Sequence, residues 1–129
     1  MNILIIEDDT TSSNILEQML KQYGKITIAN NGRDGLSFFR EAIKNKIQYN
    51  LIFLDIMLPE IDGQEVLKEI REIEKDHGVY GFDSVKVIMT TALDDSKNIM
   101  QAFRSQCEGY LVKPISKVNL YQEISRLFA

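Results

Sequence analysis

One cysteine, Cys107, is all the thiol chemistry this 129-residue chain holds, so no internal disulfide can close. A chain that folds without disulfides suits a reducing compartment, and the cytoplasm is the expected location. Basic surplus is missing too: 15 Lys and Arg stand against 19 Asp and Glu, for a net charge of -4. Nothing is left over to neutralise a phosphate backbone, which argues against direct nucleic-acid binding. No apolar run approaches the roughly 20 residues that span a bilayer, so no membrane insertion is expected. The start, Met-Asn-Ile-Leu-Ile-Ile-Glu-Asp-Asp, lacks the basic segment of a secretion signal, and its short apolar run ends in acids. The single histidine, His77, is too little for a zinc site and is expected to sit solvated in a loop. Repeats, low-complexity tracts and interdomain linkers are absent. With 44% apolar and 26% charged residues, the chain reads as one globular domain.

What the chain has is alternation. Short apolar runs at 2–6, 26–29, 51–54, 85–90 and 109–112 are separated by stretches of helical period. The first helix, 11–22, is expected to bury Ile15, Leu16, Met19 and Tyr23 and to stop at Gly24. The second, 32–44, repeats Leu36, Phe39 and Ile43 behind Asn31 as N-cap. The third opens on Asp62-Gly-Gln-Glu65, a capping-box-like start, and buries Val66, Leu67 and Ile70. The fourth, 95–105, takes Asp94 as its cap, with Met100 and Phe103 inward and Ile99 exposed. The last, 117–128, follows Ser116 and turns Leu120, Ile124 and Leu127 inward. Residues 75–84 are long for a helix-to-strand connection, and Tyr80 and Phe82 within them are expected to fold back onto the domain. Cys107 reads as a small buried hydrophobe.

Strands alternating with helices imply parallel pairing through right-handed crossovers, hence an α/β, doubly wound five-stranded sheet with helices on both faces. Ligands in such sheets bind beyond the carboxyl ends of the strands. Glu7, Asp8, Asp55, Thr91 and Lys113 all fall at or just past such ends. Three carboxylates gathered there repel one another and need a compensating cation. Hard oxygen ligands in a small open cluster suit Mg2+, for which Mn2+ can substitute. Asp9, next in the run, reads instead as a helix N-terminal acid.

These residues resemble the receiver domain of bacterial two-component response regulators, of the chemotaxis CheY type. The resemblance covers essentially the whole chain. It rests on Glu7-Asp8, on Asp55-Ile-Met-Leu-Pro59-Glu-Ile-Asp62-Gly63, on Thr91-Ala92, and on Gly109-Tyr110-Leu-Val-Lys113-Pro114. It implies a flavodoxin-like (βα)5 fold with strand order 2-1-3-4-5. It makes Asp55 the phosphoacceptor, fed by a phosphohistidine on a sensor histidine kinase or a histidine phosphotransfer protein. Asp8, Glu7, Asp55 and the backbone carbonyl of Met57 would hold Mg2+. Lys113, followed by a cis peptide bond to Pro114, would supply a point charge to the phosphoryl group. Thr91 would donate its hydroxyl, strand alternation turning Thr90 away, and Thr91 and Tyr110 would form the switch. The output would leave by the face of the fourth helix, fifth strand and fifth helix, towards a downstream target protein. Residues 1–129 would be a stand-alone receiver with no effector domain. A relay intermediate, or a receiver fragment of a longer regulator, is the alternative.

Met57 and Leu93, both apolar, would flank the phosphoryl group without orienting a hydrolytic water, so slow loss of phosphate is expected. Two readings from other classes fare worse. A Mg2+-dependent aspartyl phosphatase of the haloacid dehalogenase class wants a second Asp where Met57 stands, so the chain is not expected to be an enzyme. A flavodoxin-type carrier needs a polar, glycine-rich phosphate loop where this chain has Glu7-Asp8-Asp9.

Overall fold

The computed structural model describes residues 1–92 and 96–128. Along the chain run β1 (Asn2–Ile6), α1 (Thr10–Leu20), β2 (Lys25–Ala29), α2 (Gly32–Lys44), β3 (Leu51–Asp55), α3 (Gly63–Asp76), β4 (Lys86–Thr91), α4 (Ser96–Arg104), β5 (Gly109–Val112) and α5 (Lys117–Leu127). A 3-10 turn, Lys21–Tyr23, closes α1, and another, Gly81–Asp83, precedes β4. The five strands form one parallel sheet in the order β2-β1-β3-β4-β5. The order reverses between β1 and β3, which opens a crevice at their carboxyl ends.

Strand period splits the core into two layers. Leu4, Ile6, Ile52, Leu54, Val87 and Met89 point to one face and meet α2, α3 and Ala102 of α4. Ile3, Ile5, Leu51, Phe53, Ile88 and Leu111 point to the other and meet α1 and α5. Apolar side chains on both faces explain why the strands read as unbroken apolar runs. The helices start where local chemistry frees them to: Asp9, Asn31, Asp62 and Ser116 each accept a backbone N–H three residues on.

The structure corrects the sequence in three places. On α1, Ile15 is exposed while Leu16 and Leu20 are buried; Met19 and Tyr23 pack part-buried beside them. On α4, Ile99 and Ala102 are buried, whereas Met100 is 56% exposed and Phe103 is also outward. Two apolar pairs, each spaced by three, lie side by side on this helix, and periodicity cannot choose between them. Ala102 joins the core layer over the sheet, and the pair that contains it turns inward. Third, Tyr80 and Phe82 do not fold back. They are 64% and 98% exposed, on a loop carried outward by left-handed Gly78 and Gly81, with φ of 69° and 61°. His77 is exposed as expected, but it caps α3. Asp94, the expected cap of α4, lies outside the described residues, as does Leu93.

Cys107 is buried beside the first core layer. Burial, helped by the nearby Glu108 carboxylate, pushes its thiol up from 9.0 to about 11. Because the thiolate is the nucleophile, alkylation near pH 8 is expected to be at least about 100-fold slower in the folded chain than in urea. Timed iodoacetamide labelling read by mass spectrometry checks this.

Candidate functional site

The crevice beyond β1 and β3 is where the acids converge. Glu7 follows β1 directly, its N–H donating to Ala29 O (3.0 Å), which leaves its side chain buried at the sheet edge. Asp8 is exposed, and Asp55 is the buried last residue of β3. One carboxylate oxygen of each lies within 4.8 Å of the others. Asp9 stands apart as the cap of α1, accepting Ser12 Oγ at 2.6 Å; that bond holds its carboxyl below the usual range. Its role as a helix acid is borne out.

Lys113 reaches this cluster from just after β5. Its Nζ donates to Glu7 Oε1 (2.5 Å) and Asp55 Oδ2 (3.1 Å). Burial alone would pull the ammonium down, but the two carboxylates outweigh it and raise its pKa. Burial acts the other way on Glu7, pushing it up to about 7 against the pull of Lys113. The peptide bond between Lys113 and Pro114 is cis, as expected. Backbone bonds fix the approach: Lys113 N–H donates to Thr91 O (2.6 Å).

The other oxygen of Asp55, Oδ1, accepts the N–H of Met57 (3.0 Å), whose side chain is 68% exposed. Gly63 N–H donates to Ile56 O (2.9 Å), folding the start of α3 against the end of β3. A Cβ at Gly63 would collide with Asp55 O and Ile56 Cα, so only glycine permits this approach. Thr91, the last residue of β4, is buried. The register places Asp55 level with Thr90, so alternation along β4 does not by itself single out Thr91. Its carbonyl, which accepts the Lys113 N–H, ties Thr91 to the site. Tyr110 sits on β5 with its ring outward, edge-on to Phe103 at 6.2 Å between centroids.

A donor set of three carboxylates fits a small hard cation. Oxygens about 2.1 Å from one ion lie at most about 4.2 Å apart, so these acids need only a small inward rotation. Exposed Asp8 supplies the solvent side and buried Glu7 and Asp55 the protein side.

One residue here escaped the sequence reading. Gln64 is buried; its Nε2 donates to Asn98 O (2.7 Å), tying α3 to α4, while its Oε1 is buried with no partner among the described residues. The signal was available: Gln64 lies three residues before Leu67, in phase with the core. An unmade buried acceptor costs about 1–3 kcal/mol against about 1 kcal/mol gained from one bond. Gln64→Leu is therefore expected to leave the protein as stable or up to about 2 kcal/mol more stable, read as a raised urea midpoint with unchanged slope.

Residues 3–125 match the family described as response regulator receiver domain. A probable transcriptional regulator, ycf29, of Porphyra purpurea is 32% identical over 98% of this chain, and the chain spans 56% of its length. Hybrid signal transduction histidine kinase I of Dictyostelium discoideum is 32% identical over 95% of the chain, which spans only 7% of that protein. Among solved structures, the complex of the Saccharomyces cerevisiae phosphotransfer protein Ypd1 with the Ssk1 receiver domain offers a chain similar to this one. It has a TM-score of 0.83 and 29% identity, covering 98% of this chain and 88% of that chain.

Proposed function

The chain belongs to the response regulator receiver domain family of two-component signalling, and on that premise we propose that Asp55 accepts a phosphoryl group from a partner's phosphohistidine. The observation that carries this reading is the contact of Lys113 Nζ with Asp55 Oδ2 inside a cluster of three carboxylates. In the transfer, an Asp55 carboxylate oxygen forms an O–P bond while the P–N bond to the imidazole breaks. The electron pair returns to the imidazole nitrogen. Little covalent help is needed; positioning and charge stabilisation dominate.

Each residue has a part in that. Met57 N–H holds one Asp55 oxygen and so orients the carboxylate. Lys113 meets the incoming phosphoryl oxygens, and the Thr91 hydroxyl donates to one of them. Glu7, Asp8, Asp55 and the Met57 carbonyl would hold Mg2+, or Mn2+ in its place. When bound, the cation supplies the charge that lets an anionic nucleophile meet an anionic phosphoryl group. Movement of Thr91 towards the phosphoryl group would vacate space for the Tyr110 ring, now outward, to turn in. That would remodel the α4-β5-α5 face, where Met100, Phe103, Tyr110, Val112 and Val118 already expose apolar surface to a target protein. We place the chain in the cytoplasm, where a lone thiol stays reduced.

A relay role is the second reading, because the similar Ssk1 receiver is seen with a phosphotransfer protein. Mixing with acetyl phosphate tests the central step: one phosphoryl group per chain is expected with Mg2+ and none with excess EDTA. Rapid turnover of p-nitrophenyl phosphate would instead indicate a phosphatase. The exposed, apolar Met57 side chain offers no group to orient water. Met57→Asn is expected to speed loss of phosphate about tenfold, measured as the decay of phosphorylated protein after removal of donor.

A further inference from the structure

The pole of the molecule opposite Asp55 carries features that phosphoryl chemistry leaves unused. The helices run antiparallel to the strands, so α2 and α3 end at this pole, at Lys44 and Asp76, where β3 and β4 begin. Between the two helix ends lies an open groove of about 660 Å3. Phe39, Ile43, Ile47, Val79 and Val85 give it an apolar floor. Ile47 is largely exposed at the mouth of the groove, while Phe39 and Val85 lie buried at its base. Lys44, Lys46 and Asp83 also line it, and no ion pair among the described residues uses any of the three. The one buried acid beside the groove, Glu74, is already neutralised by Arg71.

Next to the groove stands a ridge. The loop from His77 to Ser84 projects Tyr80 and the 98% exposed Phe82, with Asp83 following at the groove side. The ridge is braced: Gln48 Nε2 donates to Asp83 O (3.2 Å), and Ser84 N–H closes the turn onto Gly81 O (3.1 Å). An exposed phenylalanine on a braced loop beside an open groove with an apolar base is a knob beside a hole. A two-fold axis between them would let each copy's knob enter the other's hole. The charges follow the same symmetry, since the acid beside the knob would face the lysines of the opposite groove.

We propose that this pole is a homodimer interface, in which Phe82 of each copy fills the other's groove and Asp83 meets Lys44 and Lys46 across the two-fold axis. Both acceptor crevices would then face away from the interface and stay open. Two output faces would be displayed together, so a bivalent target gains by effective concentration. The pairing does not depend on whether Asp55 takes phosphate.

Sedimentation velocity of the full chain, from micromolar to millimolar, tests this. A monomer–dimer equilibrium is expected, and Phe82→Asp should weaken it at least about 30-fold, as loss of a buried aromatic anchor does. Circular dichroism should show that variant folded, since the side chain is almost wholly in solvent. Lys46→Glu and Asp83→Lys should each weaken pairing about fivefold, and together restore it to within about threefold of the parent. A parent chain that stays monomeric throughout would overturn the proposal and leave the groove to another occupant. So would a dimer indifferent to Phe82→Asp, or a charge-swapped double variant no tighter than the singles.

Discussion

Asp55→Asn is expected to stop phosphoryl uptake from acetyl phosphate, by at least about 10³-fold, while leaving the fold intact. The amide has nearly the shape of the carboxylate and can still accept the Met57 N–H. Lys113 keeps Glu7 as a partner at 2.5 Å, so no buried cation is orphaned. Asparagine is nonetheless no nucleophile, and removing the nucleophile from a group that acts as a unit removes nearly all of the rate. Stability should change by no more than about 1–2 kcal/mol, because one ion pair is lost while crowding between Glu7 and residue 55 is relieved. Intact-mass measurement of parent and variant, beside urea melts of both, separates loss of chemistry from loss of structure. Phosphoryl uptake by a folded Asp55→Asn variant would move the acceptor elsewhere.

The largest expected loss of stability lies far from that site, at Arg71. Its side chain is only 12% exposed. Nη1 donates to Glu74 Oε1 (2.7 Å) and Val85 O (2.9 Å); Nη2 donates to Glu108 Oε1 (2.9 Å) and Gln106 O (2.6 Å). The two acids are themselves acceptors for the next strand: Glu74 Oε2 takes Val85 N–H (2.7 Å) and Glu108 Oε1 takes Val87 N–H (2.6 Å). One guanidinium therefore binds α3 to the starts of β4 and β5. Arg71→Leu leaves buried Glu74 without its cation and is expected to cost about 3–5 kcal/mol. Arg71→Lys should recover only part, because an ammonium cannot make the planar fork. Urea denaturation should show a lower midpoint for both. Phosphoryl uptake by the folded fraction should be unchanged, since the network sits at the opposite end of the sheet from Asp55.

Much of the fold could be read in the sequence because its strands are buried on both faces and announce themselves as apolar runs. Asn31, Asp62 and Ser116 mark helix starts by a side-chain oxygen that serves a free N–H, a purely local matter. The converging acids were legible for a related reason: parallel strands deliver their carboxyl ends to one edge, so Glu7 and Asp55 had to meet. What stayed hidden depends on contacts distant in sequence. The rotation of α4, which buries Ile99 and Ala102, is set by packing against the core layer of α3 and β4. Arg71 and Glu74 sit in phase with Gln64 and Leu67, but apart from each other their partners lie 11 to 37 residues away. The outward course of Tyr80 and Phe82 follows from two left-handed glycines, which sequence marks as flexible without giving their direction.

The role of Asp55 turns on where the phosphoryl group goes. Borohydride reduces an acyl phosphate on aspartate to homoserine, so treating the phosphorylated parent chain and mapping its peptides reads the acceptor by mass. Conversion of residue 55 alone, in Mg2+ and not in EDTA, is the predicted result. Conversion at Asp8 or any other carboxylate, or none in a chain that has gained phosphate, would contradict it.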